Sequence, residues 1–218
     1  MNKHDLIFDL DGTLIDSAPA ILSCMDSVIA QAGHVALLPL QTGLIGPPLK
    51  TTLALITGLQ DEQALQTLAE AFKDRYDNGG LRSTQPYAGI NDLLRQSSES
   101  GVRLHLATNK RMRPTLSILQ LLGWQEWFTS VYTLDRIPSG YAGKSSMLEH
   151  LLRENDIDPA RAAYVGDTRE DGMAAAANGL HFIAADWGYG DFEGWSGAGT
   201  WSRATAPADL LVAPNREG

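Results

Sequence analysis

Apolar and polar positions follow two rhythms along this chain. A short apolar run over residues 4–8 has the length of a buried strand and stops at two aspartates. Beyond Ser17 the apolar residues Ile21, Leu22, Met25, Val28 and Ile29 fall at helical spacing, which predicts a helix stopped by Gly33. A turn, GLIGPPL, leads to further helical stretches over 49–56 and 61–76 and then to the loop DNGGLRSTQPYAG. After this the rhythm changes to short elements in alternation. The pattern predicts a helix over 90–98, a strand at VRLHLAT, a helix over 114–122, a strand over 130–133 and a helix over 145–154. A strand at AAYVG, an alanine-rich helix ended by Asn178-Gly179 and a strand at LHFIAA complete the series. The stretch WGYGDFEGWSGAG reads as an ordered loop before a last strand or helix.

Strands alternating with helices indicate an α/β fold whose parallel sheet is covered on both faces. The all-helical block interrupts that alternation directly after the first strand. The expected architecture is therefore a doubly wound, Rossmann-like core over residues 1–15 and 84–218 with an inserted helical cap over 16–83. In such sheets ligands bind beyond the carboxyl ends of the strands, which is where Asp9, Thr108 and Asp167 fall.

Composition narrows the function without naming it. The 218 residues are 44% hydrophobic and 20% charged, as in an ordinary globular protein. No uncharged apolar run is long enough to span a membrane, and MNKHDLIFDLDG lacks the layout of a signal peptide, so a cytoplasmic protein is expected. The single cysteine, Cys24, fits a reducing compartment and reads as a small apolar group on a helix. A net charge of -9 argues against a nucleic-acid surface. It does not exclude an anionic substrate, because a bound divalent metal reverses the sign of an acidic pocket.

Four short segments carry candidate chemistry. In LIFDLDGTLIDS, Asp9 and Asp11 project to one side of an extended segment while Leu10 points away, and a cation between them would relieve their repulsion. A plain turn with a capping carboxylate is the structural alternative. A calcium loop is excluded because Thr13 stands where a third Asp or Asn is needed. In LATNK, the Thr108 hydroxyl and the backbone N–H of Asn109 suit a phosphate oxygen, although Thr108 could equally cap the next helix. Lys144 in YAGKSSML does not belong to a phosphate-binding loop, since Pro138 replaces its first glycine. In VGDTRED, Asp167 ends a strand and Asp171 stands in the first turn of a helix, where an acid is also favoured by the helix dipole.

Taken in order, DLDGTLIDS, ATNK, Lys144 and GDTRED resemble the four motifs of the haloacid dehalogenase-like hydrolases, within them the phosphoglycolate phosphatase-like group with a helical cap. IGPPL, PYAGI and WGYG are similar too. The resemblance implies a Mg2+-dependent phosphatase acting on a small phosphorylated metabolite, a phosphoglycolate-like ester or a sugar phosphate, through an aspartyl-phosphate. Asp9 would be nucleophile and metal ligand, and Asp11 general acid and base, touching the metal through its carbonyl. Asp167 would be a metal ligand, Lys144 a charge-offsetting cation, and Thr108 and Asn109 holders of the phosphoryl group. Asp171 would orient its neighbours, and the cap would close to exclude water. Lys50, in the cap, is either a reader of a second substrate anion or a solvated helix lysine.

The chain departs from the family pattern at Ser145, where proline usually follows the lysine, at Gly172, where an apolar residue is usual, and at Asn178, which replaces an alanine. Other readings are a phosphosugar mutase with the same aspartates and a non-enzymatic binding module. A dehalogenase is disfavoured by Asp11. A phosphonate-cleaving enzyme is disfavoured because Lys50 lies one residue too far from Gly46.

Overall fold

The computed structural model of this chain describes residues 5–211, so His4 of the expected first strand lies outside the described residues. Eight strands occur among them: β1 (Asp5–Phe8), β2 (Ile15–Asp16), β3 (Gln85–Pro86), β4 (Arg103–Thr108), β5 (Phe128–Thr133), β6 (Ala162–Gly166), β7 (His181–Ala185) and β8 (Trp201–Ala204). All but β2 and β3 join one six-stranded sheet in the order β5-β4-β1-β6-β7-β8, and every pairing in it is parallel. The chain moves outward from β1 in one direction through β4 and β5, then crosses to the other side for β6, β7 and β8. The carboxyl ends of β1, β4 and β6 therefore flank the point where the strand order reverses.

The residues explain the parallel sheet. Strands covered on both faces must be apolar throughout, and in β4 and β7 every residue after the first is buried. The core includes Ile7, Ala107, Tyr132, Met147, Tyr164 and Phe182. The register pairs Phe8 with Leu106 on one side and with Val165 on the other. The residues that follow, Asp9, Thr108 and Asp167, thus emerge along one edge. At the amino ends a polar network around the buried Asp5 and His105 joins β1, β4 and β5. Arg103 Nε lies 2.7 Å from Asp5 Oδ1, His105 Nε2 lies 3.1 Å from that oxygen, and His105 Nδ1 lies 2.8 Å from Ser130 Oγ. Burial lowers the pKa of His105, although Asp5 opposes this.

The chain divides into two compact units, one of the described residues through Asp16 and from Pro86 onward, the other of Ser17–Gln85. The second contains α1 (Ala18–Gln31), α2 (Leu49–Thr57) and α3 (Glu62–Asn78). Asp61 caps α3 by accepting the Ala64 N–H, and Gly58 ends α2 in the left-handed conformation. The first unit contains α4 (Ile90–Glu99), α5 (Met112–Leu122), α6 (Lys144–Glu154) and α7 (Arg169–Ala177), which flank the sheet. No helix among the described residues is long and apolar enough to cross a membrane.

Several boundaries differ from the sequence pattern. Helix α5 begins two residues before Pro114, because the first-turn N–H groups lack helical acceptors and proline is tolerated there. Strand β5 begins at Phe128, and the last segment forms both a strand, β8, and a 3-10 turn over Pro207–Leu210. The two-residue strands β2 and β3 are too short to leave any periodic signal.

Burial predicts a contrast between two leucines. Leu106 in β4 is fully buried and Leu116 in α5 is 48% exposed. Leu106→Ala should lose about 2–5 kcal/mol of stability, whereas Leu116→Ala should lose less than about 0.5 kcal/mol. Urea midpoints at constant m-value would measure both, and equal losses would contradict this account of the core.

Candidate active site

The chain leaves β1 through a tight turn. The N–H groups of Leu14 and Ile15 return to the Leu10 carbonyl at 2.9 and 3.1 Å, and Gly12 N–H donates to Ile15 O at 2.9 Å. Gly12 has φ +81°, and a Cβ there would fall 2.2 Å from Asp167 Oδ2. Glycine is needed both for the turn and for the approach of that carboxylate. Leu10 is fully buried, while Asp9 and Asp11 flank it.

Asp9 is 6% exposed. Its Oδ1 lies 3.3 Å from Lys144 Nζ, outside hydrogen-bond geometry, and is a buried oxygen without a hydrogen-bond partner. Lys144, the first residue of α6, is itself buried and donates to Asp171 Oδ1. Asp171 is held from every side. Tyr164 Oη lies 3.1 Å from Oδ1, and Oδ2 accepts from Thr168 N–H at 3.0 Å and from Thr168 Oγ1 at 2.6 Å. The Thr168 contacts form the capping box that starts α7. Gly166 leaves room for this fold-back, since a Cβ there would sit 2.6 Å from Asp171 Cβ.

Asp167, fully buried, accepts from Thr13 Oγ1 at 3.1 Å and from Tyr189 N–H at 2.8 Å. The loop carrying Tyr189 presses on it closely. A Cβ on Gly188 would lie 2.2 Å from Asp167 Cβ, and one on Gly190 would lie 1.8 Å from Asp167 O. Trp187 Nε1 donates to Thr13 O at 2.8 Å, tying this loop to the turn after β1.

At the end of β4, the buried Thr108 hydroxyl accepts from Lys110 N–H at 3.2 Å. Thr108 does not cap the next helix, whose N-cap is Arg111, so the structural alternative for Thr108 fails. Asn109 has a buried Oδ1 without a hydrogen-bond partner. Lys110 Nζ donates to Asp11 at 2.8 Å to Oδ1 and 3.1 Å to Oδ2.

Negative charge dominates the electrostatics. Burial pushes the Asp9 carboxyl up to about 8, with Lys144 opposing and Asp171, Asp167 and Asp11 adding to the rise. Burial and Asp171 push Asp167 up to about 6, against the Tyr189 N–H, Lys144 and Thr13. Burial disfavours the Lys144 charge, yet Asp171 and Asp9 outweigh it and hold the ammonium above its ordinary range. Carboxylate oxygens of Asp9, Asp167 and Asp171 all lie within 4.8 Å of one another. Both oxygens of Asp171 are occupied by Lys144, Tyr164 and Thr168, whereas Asp9 Oδ1 has no hydrogen bond and each oxygen of Asp167 keeps acceptor capacity. The residues fit an oxygen-ligated ion such as Mg2+, with Asp9 and Asp167 as the available ligands.

Of the residues singled out in the sequence, Asp9, Lys144, Asp167 and Asp171 converge directly. Asp11, Thr108 and Asn109 stand at the ends of the adjacent strands β1 and β4. Lys50 lies in the first turn of α2, and its ammonium pairs with Glu62. Sequence reasoning missed Thr13, Lys110, Tyr164 and Tyr189. Only Lys110, inside ATNK, and the doubled glycine of GYG carried any signal.

The family model for haloacid dehalogenase-like hydrolases matches residues 6–185. A phosphoglycolate phosphatase of Psychrobacter arcticus is 28% identical over 199 residues, covering 87% of this chain and 86% of that protein. The tyrosine-protein kinase PtkA of Mycobacterium tuberculosis is 34% identical over 189 residues, covering 85% of this chain but 62% of that protein's length. Among solved structures, a haloacid dehalogenase-like family hydrolase of Streptococcus pneumoniae superposes with a TM-score of 0.81 at 23% identity, covering 96% of this chain and 97% of that one, and so shares the fold. The buried carboxylates around one lysine thus sit in a known scaffold, and the chain belongs to the haloacid dehalogenase-like hydrolases, within their phosphoglycolate phosphatase-like group of phosphatases.

Proposed function

We propose that this phosphatase is Mg2+-dependent and hydrolyses a small phosphate monoester, a phosphoglycolate-like ester or a sugar phosphate, through an aspartyl-phosphate on Asp9. The observation that carries the reading is Asp9 Oδ1, a buried oxygen with no hydrogen bond beside Lys144 and Asp167. An orphaned buried carboxylate oxygen is costly, and a cation and an incoming phosphoryl group are the partners it lacks.

A phosphate monoester resists hydrolysis because nucleophile and phosphoryl group are both anionic, so the site must supply positive charge and position. Asp9 and Asp167, with the Asp11 carbonyl, would hold Mg2+, whose charge offsets that of the phosphoryl oxygens. One Asp9 oxygen attacks phosphorus, the bond from phosphorus to the ester oxygen breaks, and Asp11 gives that oxygen a proton. Asp11 then takes a proton from water as the water oxygen attacks phosphorus, and the bond to Asp9 breaks to release phosphate. Lys144 offsets charge at Asp9 throughout, and Asp171 fixes the ammonium. Thr108 and the Asn109 N–H hold the phosphoryl oxygens. The same first half-reaction can end on another acceptor, as in a mutase, where the phosphoryl group returns to a sugar. Free phosphate or isomerised product distinguishes the two in one assay with a panel of monoesters.

Asp9→Asn should lower turnover by on the order of 10⁴-fold or more, since the amide is a poor nucleophile. Phosphate release near the wild-type rate from this variant would refute the covalent route. Asp11→Asn keeps the nucleophile and loses the acid and base. With p-nitrophenyl phosphate, whose leaving group needs little protonation, the aspartyl-phosphate should form and accumulate. Rapid-quench measurement of the phosphoenzyme would show this, and equal slowing of both steps would contradict it.

The metal site also predicts a pH dependence in folding. Without metal, the folded-state values of about 8 for Asp9 and about 6 for Asp167 exceed the ordinary range near 4. A raised folded value contributes stability that is fully present below about pH 4 and lost as pH rises through about 6 and 8. The metal-free protein should therefore weaken over that window, and Mg2+ should restore more of the loss at about pH 8 than at about pH 5.5. Calorimetric Tm values with and without Mg2+ give the comparison. An equal or smaller Mg2+ shift at the higher pH would count against Asp9 and Asp167 as ligands.

A further inference from the structure

We infer that Tyr164 is a positioning residue for the reaction: its hydroxyl, shared between two acceptors, turns onto Asp171 as the Lys144 ammonium leans toward the phosphoryl group, and so frees that charge to move. The inference rests on the phosphatase reading and adds to it a residue that acts only through Asp171 and Lys144.

Donors and acceptors at Tyr164 do not balance. The side chain is fully buried, and burial, with the Asp171 and Asp9 carboxylates nearby, keeps the phenol protonated. It has one proton to give. Two oxygens compete for that proton, Asp171 Oδ1 and Ala107 O, each 3.1 Å from Tyr164 Oη. The O–H serves one at a time, so its choice depends on how much positive charge Asp171 already receives. Lys144 supplies that charge. Its ammonium donates to the same Asp171 Oδ1, while Asp9 Oδ1 lies 3.3 Å away, outside hydrogen-bond geometry. The cation thus rests on the Asp171 side. In the proposed transition state negative charge grows on the phosphoryl oxygens beside Asp9, and only interactions that strengthen there speed the reaction. Lys144 strengthens its contact by leaning away from Asp171, which leaves a buried carboxylate oxygen short of a donor at a high cost. The Thr168 donors are fixed on Oδ2 by the capping box, so the Tyr164 O–H is the group placed to compensate Oδ1. Turning it from Ala107 O to Oδ1 takes rotation about a single bond. The ring itself is held in place, 6.5 Å from the Phe182 ring and 6.0 Å from Lys144 Nζ by its centroid.

Tyr164→Phe keeps the ring and deletes the proton. Calorimetry in Mg2+ buffer compares two probes, inorganic phosphate and orthovanadate, which adopts the five-coordinate shape of a phosphoryl-transfer transition state. The variant should bind vanadate on the order of 10-fold more weakly than wild type, the effect of one lost hydrogen bond to a charged group, and phosphate within about 2-fold. Equal weakening of both probes, or of neither, would reduce Tyr164 to a packing residue and overturn the inference. In a Lys144→Ala background the group through which Tyr164 acts is gone, so Tyr164→Phe should then cost less than about 2-fold in vanadate affinity. An undiminished loss there would also overturn it. Tyr164→Phe leaves two buried oxygens with one donor fewer, which can cost the fold, so a second replacement is needed. The amino group of 4-aminophenylalanine at position 164 has two N–H bonds, serves both acceptors at once and should restore most of the preference for vanadate over phosphate. If that chain folds and its preference stays about 10-fold below wild type, the inference is wrong. These affinities need no turnover. If Asp9→Asn released phosphate near the wild-type rate while the vanadate preference still depended on the hydroxyl, the covalent mechanism would fail and the role of Tyr164 would stand.

Discussion

The site depends on one constraint, an excess of buried carboxylate charge around a single buried ammonium. Asp9, Asp167 and Asp171 lie together and Lys144 is the cation among them. Removing charge from water costs several kcal/mol per ion unless pairing and hydrogen bonds compensate. The compensation is distributed unevenly. Asp171 receives Lys144, Tyr164 and the Thr168 capping box, Asp167 receives Thr13 and the Tyr189 N–H, and Asp9 is left with an unbonded oxygen. A site built for stability alone would satisfy Asp9 first. The least satisfied carboxylate stands just after β1, at the reversal of strand order, which is the placement the nucleophile proposed above requires.

Much of this was legible in the sequence, and the limits have physical causes. The parallel sheet could be read because strands buried on both faces are short apolar runs, and Asp9, Thr108 and Asp167 stood out because each ends or directly follows such a run, whereas Lys144 gained meaning only from its place at a helix start after the third core strand. Tyr164 could not be read, because an aromatic in a buried strand is expected on packing grounds. Only the fold shows its hydroxyl shared between Asp171 Oδ1 and Ala107 O, each at 3.1 Å. Thr13 was used only to exclude a calcium loop, yet its hydroxyl holds Asp167 across a separation of 154 residues. Contacts that distant leave no local trace.

The departures from the family pattern become interpretable as contacts. Ser145 and Asn178 touch each other: Asn178 Nδ2 donates to Ser145 O at 3.0 Å and lies 3.3 Å from Ser145 Oγ. The two substitutions thus tie the end of α7 to the start of α6, the helix that carries Lys144. The bond to the carbonyl needs only Asn178, because any residue at 145 offers that oxygen, and Ser145 adds its hydroxyl as a second, longer contact between the helices that bear Lys144 and Asp171.

Gly172 is explained from the opposite side of α7. A Cβ there would fall 2.1 Å from the Trp195 ring, so glycine is what admits the indole against the helix. The helix loses about 1 kcal/mol relative to alanine. In return Trp195 packs with Phe182, Phe192 and Trp201 at centroid distances of 5.8, 5.5 and 4.9 Å, and aromatic pairs contribute about 0.5–1.5 kcal/mol each beyond area burial. The loop that carries Trp195 is the one that presses Gly188 and Gly190 onto Asp167, and Arg169 at the start of α7 donates to its Asp191 and Glu193 carbonyls at 2.7 and 2.9 Å. One loop therefore grips the Asp167–Asp171 segment at both ends, by backbone contact at Asp167 and by aromatic packing at the helix. The segment's own helix is short and alanine-rich, with little apolar surface of its own to bury, so the loop supplies the rigidity that holds Asp167 in place.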